Sequence, residues 1–409
     1  MGGDRPGGAQ GQAGPVRPRA AGDRRRRAGM SARRRLGRGR GTDQETPMKV
    51  THVTTRVLST PADNPLVVGL PAPTETREFV TLELGTDEGL TGLGLTFFGG
   101  ALTPALRAAV DALARLVVGE DPTQVEAIAA RCRRAAGMAG PGGVFTLALS
   151  AVDVACWDIK GKAAGKPVAA LLGGLRDRVP TYASGALMRP HPVDYLAKAA
   201  PRLRDMGFRQ MKMQCGSEPT IAASVERVRV VREAIGPDAD LMCDINQLWS
   251  VHHAIEVGRR VEPHQLAWLE DPTAHDDYPG LSRIADALAM PIAAGEYHYG
   301  IVPFRHLLEH RAVDIVMIDL VRVGGITQWM KVAGMAEAFN LPVVSHLVPE
   351  IHVHLVAAAP NGLTVEYMPW SLRLFEETPA LEQGMLVVPK TPGLGLAFDP
   401  AALKTYQVG

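Results

Sequence analysis

Three short runs of sequence decide the fold: DLMCDIN (residues 240–246), LAWLEDP (266–272) and PIAAGE (291–296). Each run is mainly apolar up to a carboxylate, which is Asp244, Glu270 or Glu296, and longer amphipathic stretches separate the runs. Short apolar runs that alternate with helical stretches indicate parallel strands joined by helices. Because the carboxyl ends of parallel strands lie at one edge of a sheet, the three carboxylates are predicted to lie close together.

The same pattern extends to both sides, in VPTYASG (179–185), FRQMKMQ (208–214), VDIVMID (313–319), LPVVSH (341–346) and TVEYM (364–368). Eight strands at this spacing predict an α/β fold, either a closed parallel barrel or an open doubly wound sheet. The barrel is favoured because seven runs end in polar residues, and a barrel gathers all its strand ends at one opening, here called the mouth. These residues are Lys212, Asp244, Glu270, Glu296, Asp319, His346 and Glu366.

The sequence before the barrel predicts a smaller α+β domain over residues 48–173, here called the cap. Residues 48–58 and 77–94 alternate apolar and polar side chains, which is typical of antiparallel strands. Residues 104–172 have helical periodicity, and Gly173 with Gly174 ends it. The barrel is expected at residues 179–370.

Residues 1–47 differ in composition from the remainder of the chain. They contain 12 Arg against 4 acids and almost no large apolar side chains, whereas the whole chain balances 44 basic with 43 acidic residues. Such a segment cannot bury enough apolar surface to fold, so we expect a disordered extension. The alternative is that the start codon is placed too far upstream and that the protein begins at Met48. Binding of nucleic acid through this tail is the alternative to an enzymatic function.

Composition also bounds the class of protein. The four cysteines lack the CxxC spacing of zinc modules, so neither a disulfide framework nor a zinc module is expected, and the location is predicted to be cytoplasmic. No continuous apolar stretch is long enough to predict a membrane span.

The residue types at the mouth indicate metal-assisted acid–base chemistry. Carboxylate oxygens are the ligands that Mg²⁺ prefers, and crowded carboxylates repel one another without a cation, so Asp244, Glu270 and Glu296 are predicted to bind Mg²⁺. Asn246 lies on the same face of its strand as Asp244 and is expected to fix the ligands or the substrate. Zinc is disfavoured because no cysteine or histidine cluster accompanies the acids.

A histidine and an acid close the next two strands. Asp319 is expected to orient the imidazole of His346 and leave its other nitrogen as a general base. Lys212 is predicted to supply positive charge. Glu366 is expected to donate a hydrogen bond if the crowded site keeps it protonated.

From Met48 to the C-terminus, the chain resembles the enolase superfamily, in the mandelate racemase branch of the mandelate racemase/muconate lactonizing enzyme family. The resemblance is specific for the superfamily and not for a substrate. Cys156 departs mildly from the family's signature in the helix before the barrel. Eight motifs carry it in chain order: ALSAVDVACWDIKGKAAGKPVAALLG (148–173), GFRQMKMQCG (207–216), DIN (244–246), WLEDP (268–272), AGE (294–296), IDLVRVGGIT (318–327), VVSH (343–346) and VEYMPW (365–370).

This resemblance implies a modified (β/α)7β barrel under an α+β capping domain, with residues 371–409 returning to the cap. It implies one Mg²⁺ per active site on the three acids. His346, paired with Asp319, would remove the proton α to the carboxylate of a small molecule, and Glu366 would stabilise the resulting enediolate. No membrane is implied. The family commonly forms homo-oligomers, either dimers or octamers.

One departure from the family bears on the reaction. The second-strand motif is often Lys-x-Lys, whereas this chain has Lys212 and then Gln214. Glutamine cannot exchange a proton near neutral pH, which weighs against a two-base racemase. We therefore expect dehydration of an acid sugar to a 2-keto-3-deoxy acid, with His346 or Lys212 helping the β-hydroxyl to leave; a racemase, epimerase or cycloisomerase is the alternative.

Four residues are predicted to contact the substrate: Gln214, Asn246, Tyr297 and His298. The cap loops, at residues 59–78 and 95–103, are expected to set specificity, and neither carries a cluster of cations for a second substrate carboxylate. Arg77 is the exception considered as a cation for a second carboxylate, but it is interpreted as an exposed arginine beside a strand. Arg322 is interpreted as a residue behind the site.

Overall fold

The computed structural model describes residues 47–70 and 74–408. Its larger sheet is a closed barrel of eight parallel strands, because the last strand pairs with the first. This closure confirms the predicted barrel and excludes the open doubly wound sheet. The cap strands come first in the chain and are numbered β1 to β3. The barrel strands are β4 (Arg178–Leu187), β5 (Gln210–Gln214), β6 (Asp240–Asp244), β7 (Leu266–Glu270), β8 (Ile292–Ala294), β9 (Ile315–Asp319), β10 (Val343–His346) and β11 (Gly362–Tyr367).

Helices cover the outside of the barrel and bury the outward side chains of its strands. The barrel interior is filled by a separate apolar cluster that includes Tyr182, Met242, Trp268, Met317 and Val344. The interior is therefore a packed core rather than a pore. The covering helices are α5 (Val193–Asp205), α6 (Ile221–Ile235), α7 (Val251–Val261), α8 (Tyr278–Ala287), α9 (Val302–Glu309), α10 (Leu320–Val323), α11 (Ile326–Ala338) and α12 (Pro349–Ala358), following cap helices α1 to α4.

The register of the barrel strands sets the polar strand ends side by side. Asp244 pairs with both Gln214 on β5 and Glu270 on β7, and His346 pairs with Asp319. Paired residues on neighbouring strands lie at the same height. The register therefore puts these side chains in one layer at the mouth.

The cap is an antiparallel sheet with helices packed against it. The strand order is β14–β1–β2–β3, so the last strand of the chain pairs with the first. A hairpin of β12 and β13 instead extends β4 of the barrel. The cap and C-terminal elements are β1 (Val50–Pro61), β2 (Thr76–Thr86), β3 (Thr91–Thr96), α1 (Thr103–Arg115), α2 (Val125–Ala136), α3 (Val144–Ala163), α4 (Val168–Leu171), β12 (Leu381–Glu382), β13 (Met385–Val387), α13 (Pro400–Tyr406) and β14 (Gln407–Val408).

Helix α3 contains two buried acids, of which one contacts the barrel and the other contacts β3 and the C-terminal segment. Asp158 accepts hydrogen bonds from the backbone of Leu93 in β3 at 3.0 Å and of Leu394 near the C-terminus at 2.8 Å. Asp153 accepts from the backbone of Thr327 in α11 at 3.0 Å. Because buried carboxylates need such partners, Asp153 contributes to holding the cap on the barrel.

Within the part of the chain that the structure describes, no helix is long and apolar enough to cross a membrane. Cys132, Cys156, Cys215 and Cys243 are all buried and free, as predicted. The predicted extension, residues 1–47, lies outside the described residues except for Pro47.

Replacing Gly94 with alanine is expected to destabilise the protein, because β3 passes very close to α3 at this glycine. The added Cβ would lie 2.1 Å from the carbonyl oxygen of Ala151, so the cap sheet must move. Overpacking of this kind costs about 1–3 kcal/mol. Urea unfolding measures the loss. Gly137→Ala is the control, since its Cβ meets no atom within 4 Å, and equal stability of the two variants would contradict the prediction.

Candidate active site

Lys212 is the centre of the charged cluster at the mouth. Its Nζ lies 2.6 Å from Glu270 Oε1, 2.8 Å from Glu366 Oε1 and 3.6 Å from Asp244 Oδ2. Burial opposes the charge on this ammonium group, but the surrounding carboxylates raise the pKa of Lys212 well above its usual value. Lys212 therefore provides the positive charge that the sequence predicted.

Neighbouring groups fix two of the predicted metal ligands. Trp268 lies two residues before Glu270, on the same face of β7, and donates from Nε1 to Glu270 Oε2 at 2.9 Å. Asn246 donates from its backbone to Asp244 Oδ1 at 2.8 Å and from its side chain to Asp244 Oδ2 at 3.0 Å. The predicted role of Asn246 as a support for Asp244 agrees with these contacts. Trp268 was not singled out, although the alternation along β7 places it on this face.

Glu296, the third predicted ligand, reaches the mouth from a turn rather than from a strand end. Strand β8 ends at Ala294, and Gly295 follows with a φ of 136°. A Cβ on Gly295 would lie 2.4 Å from the carbonyl oxygen of Met317 in β9, so only glycine allows this close approach. The turn brings Glu296 Oε2 to 3.2 Å from His346 Nε2.

Asp271 is an acid at this site that the sequence interpretation missed. It is fully buried, and neither of its carboxylate oxygens has a hydrogen-bond partner among the described residues. Oxygens of Glu270, Asp271 and Glu296 lie within 4.8 Å of one another. The run LAWLEDP contains both acids, but the alternation of a strand would direct adjacent side chains to opposite faces. A φ of 40° at Asp271 ends that alternation.

The acids fit a divalent cation that prefers oxygen ligands. Burial, followed by the charges of Asp244, Glu296 and Glu366, raises the pKa of Glu270 to about 8, although Lys212 opposes this shift. A cation among the carboxylates removes their mutual repulsion. Oxygen donors without cysteine or histidine are the set that Mg²⁺ takes.

His346 and Asp319 form the predicted pair. His346 Nδ1 lies 2.6 Å from Asp319 Oδ2, and Asp319 Oδ1 accepts from the backbone of Val321 and of Arg322 at 2.9 and 2.7 Å. Burial opposes ionisation of Asp319, but these partners lower its pKa, so it is a charged acceptor and Nδ1 carries the donated proton. Nε2, the other nitrogen, faces the carboxylates.

The protonation of His346 depends on Glu296. Burial disfavours the imidazolium, but the charge of Glu296 and the hydrogen bond to Asp319 raise the pKa of His346 to about 9. A cation held by Glu296 would offset that charge and lower the pKa of His346 toward the range in which a general base works.

Glu366 differs from its predicted protonated state. Its carboxylate contacts Lys212 and accepts a hydrogen bond from the backbone of Leu347 at 2.6 Å. Burial opposes ionisation, but Lys212 and His346 lower the pKa of Glu366 to about 2. Glu366 is thus a charged acceptor in this arrangement because Lys212 offsets its charge, and the donation of a hydrogen bond to the substrate stays a prediction.

Three of the four predicted substrate contacts lie around the mouth. Gln214 ends β5 beside Lys212, and its Oε1 accepts from the backbone of Arg189 at 3.4 Å. Asn246 donates to the hydroxyl of Tyr297 at 3.4 Å. Arg189, which was not predicted, donates to the side-chain oxygen of Asn246 at 2.9 Å. Their contact with substrate stays a prediction.

His298, the fourth, packs in the layer of helices instead. Its ring contacts Tyr278 of α8 and Phe304 of α9, with centroids 5.7 and 5.3 Å apart, and also His275. Burial lowers the pKa of His298 to about 3, so the ring is neutral. None of its described contacts reaches the carboxylates, and the predicted substrate contact has no support in this geometry.

The cap contributes Phe98 to the mouth, a contact that the sequence did not reveal. The Phe98 ring stacks near His346, with centroids 6.3 Å apart, and lies 3.9 Å from the guanidinium of Arg322. Arg322 also donates to the backbone carbonyl of Glu296 at 3.1 Å. Arg322 lies behind Glu296, as predicted, while Phe98 covers one side of the base.

Comparison with protein families agrees with this geometry. Residues 51–173 match the mandelate racemase/muconate lactonizing enzyme N-terminal domain, and residues 194–402 match the family described as enolase C-terminal domain-like. The two matches cover the cap and most of the barrel, and they confirm the resemblance predicted from the motifs.

Individual proteins are similar over most of their length. The chain is 32% identical to L-talarate/galactarate dehydratase of Salmonella typhimurium, over 86% of this chain and 88% of that protein. It is 35% identical to 3,6-anhydro-alpha-L-galactonate cycloisomerase of Streptomyces coelicolor, over 81% and 92%. The structure of L-talarate dehydratase from Polaromonas sp. JS666, complexed with Mg and L-glucarate, superimposes with a TM-score of 0.81 at 33% identity, over 88% and 98%. The predicted metal, magnesium, is thus the one held by this solved relative, and the chain belongs to the mandelate racemase/muconate lactonizing enzyme family of the enolase superfamily.

Proposed function

We propose that this protein is a Mg²⁺-dependent dehydratase of sugar acids. It converts a 2,3-dihydroxy carboxylate into a 2-keto-3-deoxy carboxylate and water. The cluster of oxygen ligands, the His346–Asp319 pair and the dehydratases among the relatives support this function.

Asp244, Glu270 and Glu296 would hold the metal, with Asp271 beside them. When bound, Mg²⁺ supplies positive charge to the carboxylate oxygens of the substrate and thereby makes its α-proton more acidic. Lys212 adds a second positive charge. It contacts Oε1 of Glu270, whereas Trp268 donates to Oε2.

His346 removes the α-proton through Nε2, while Asp319 holds Nδ1 and stabilises the imidazolium that forms. The same imidazolium then returns a proton to the β-hydroxyl, which leaves as water. The resulting enol tautomerises to the 2-keto-3-deoxy acid. Proton and hydroxyl therefore leave as one water molecule, and the histidine ends in its starting state.

Gln214 is the observation that favours dehydration over racemisation. Its side-chain amide is on β5, next to Asp244 of β6. Lys212, two residues earlier on β5, is held by Glu270 and Glu366. An amide cannot accept or return a proton at neutral pH. Racemisation needs a proton acceptor on each side of the α-carbon, whereas dehydration can proceed with His346 alone.

A cycloisomerase is the second candidate, because the Streptomyces coelicolor relative with that activity is 35% identical. A cycloisomerase of a sugar acid gives an isomer of its substrate without loss of water.

The predicted homo-oligomer, a dimer or an octamer, stays a prediction.

Incubation with aldonic and aldaric acids and Mg²⁺ is expected to yield 2-keto-3-deoxy acids, detected by mass spectrometry as a loss of one water. Omitting Mg²⁺ is the control and should abolish the reaction. If the α-proton exchanges with D₂O and no acid loses water, the dehydratase proposal is wrong and an isomerase is favoured.

The variant His346→Asn is expected to lose α-proton exchange by about 10²–10⁴-fold, because a positioned base contributes that much. Its Mg²⁺ affinity should not fall, since His346 is not assigned as a ligand. Exchange is measured by NMR in D₂O and affinity by calorimetry. His252→Asn, on the exposed face of α7, is the control. Wild-type exchange in His346→Asn would remove this residue from the mechanism.

The variant Glu270→Gln is expected to raise the Kd for Mg²⁺ about 10–100-fold, because an amide oxygen is a weaker, uncharged ligand. Calorimetric titration of the metal-free protein measures this change without turnover. Glu256→Gln alters an acid on α7 that pairs with Arg260 and is the matched control. An unchanged Kd in Glu270→Gln would exclude Glu270 as a ligand.

A further inference from the structure

The packed barrel interior limits the direction in which a substrate can extend. Tyr182 and Trp268 fill the space below the carboxylates, with ring centroids 5.4 Å apart. A sugar acid whose carboxylate lies at the acids must therefore point its distal end toward the cap. The cap residues that cover the mouth are then the ones that meet the distal end.

Cap residues cover the side of the mouth formed by β4 and β11. The side chain of Asn64 lies against Gly185 of β4, where an added Cβ would fall 1.7 Å from its amide nitrogen. The guanidinium of Arg77, at the start of β2, stacks 3.8 Å from the ring centroid of Trp370. Trp370 comes three residues after the end of β11, so Arg77 lies on the β11 side of the barrel, and β11 is on the other side of the barrel from β7 and β8.

Arg77 is not the exposed arginine expected from the sequence. The guanidinium groups of Arg77 and Arg373 lie near one carboxylate, that of Asp63. Arg373 donates to both oxygens of Asp63 at 2.6 and 2.7 Å. Arg77 donates from Nη2 to the carbonyl of Ala62 at 3.3 Å, while its Nη1 is buried without an acceptor among the described residues. Burial, opposed by Asp63 and helped by Arg373, lowers the pKa of Arg77 to about 10.

The other cations at the mouth already have acceptors. Arg189 donates to the carbonyls of Cys215 and Ile245 and to Asn246. Arg322 donates to Glu296, and Lys212 contacts three carboxylates. In residues 47–70 and 74–408, Arg77 is the arginine with a buried donor that lacks an acceptor.

We propose that Arg77, held flat against Trp370, binds a carboxylate at the distal end of the substrate, and that the preferred substrates are therefore dicarboxylic sugar acids. A guanidinium matches a carboxylate with two parallel hydrogen bonds, which a terminal hydroxyl cannot provide. Asp63 accepts from Arg373 on both oxygens, and none of the hydrogen bonds described for residues 47–70 and 74–408 joins it to Arg77. This inference rests on the proposed function, since it names the substrate class of that site.

Galactarate and D-galactonate are a matched pair for the test, because they differ at the terminal carbon, which is a carboxylate in one and a hydroxymethyl group in the other. The wild-type protein with Mg²⁺ is expected to have the higher kcat/KM for galactarate. Arg77→Met should lower the ratio of kcat/KM for galactarate over galactonate by about 100-fold, because the distal carboxylate loses a charged partner. Arg77→Lys keeps the charge and should lower the ratio less.

Arg115→Met, an exposed arginine on α1, is the control and should leave the ratio unchanged. An equal loss for both acids in Arg77→Met and Arg77→Lys would show that Arg77 only supports the cap, and would overturn the inference. A wild-type preference for galactonate would also overturn it while leaving the dehydratase proposal intact. If neither acid loses water, the proposed function fails, and the Kd ratio for the two acids, measured by calorimetry in the same variants, decides the inference.

Discussion

Six buried carboxylates gather at the mouth of the barrel around the basic side chains of Lys212, His346 and Arg322, and the rest of the site depends on this balance of charge. Like charges in a buried environment raise one another's pKa, as they do for Glu270, and Lys212 offsets only part of the repulsion. The arrangement persists because the closed barrel fixes the strand ends, not because the acids attract one another. A divalent cation is the group that would balance this charge. The six acids are Asp244, Glu270, Asp271, Glu296, Asp319 and Glu366.

Backbone strain accompanies this convergence of side chains. Three residues that come one or two positions after a site residue have positive φ values. They are Asn246 (47°), Asp271 (40°) and Leu347 (55°). Such conformations cost about 1–3 kcal/mol each for residues other than glycine and persist only where the surroundings hold them. Leu347 is held on both sides, since its N–H donates to Glu366 and its carbonyl accepts from His352 at 2.6 Å. Part of the backbone strain therefore lies where the chain turns polar side chains into the mouth.

The sequence predicted the strands and the residues at their ends, because periodicity and barrel geometry determine both. It failed where the backbone leaves that regular pattern. Asp271 escaped notice because a turn, not a strand, directs it toward Glu270. His298 faces the helices, and Arg77 is covered by Trp370, because contacts between segments far apart in sequence decide the surroundings of both. Local sequence carries no signal for such contacts, so loop residues were assigned less well than strand ends.

The base and the metal ligands are electrostatically coupled through Glu296. Its carboxylate is 3.2 Å from His346 Nε2, so a negative charge there outweighs the effect of burial and raises the pKa of His346. Neutralising Glu296 lowers the pKa of His346, whereas Asp319 holds Nδ1 in either state. The geometry therefore couples the protonation of the base to the charge of the metal ligands, and a cation bound by Glu296 would favour the neutral imidazole that the proposed proton removal requires.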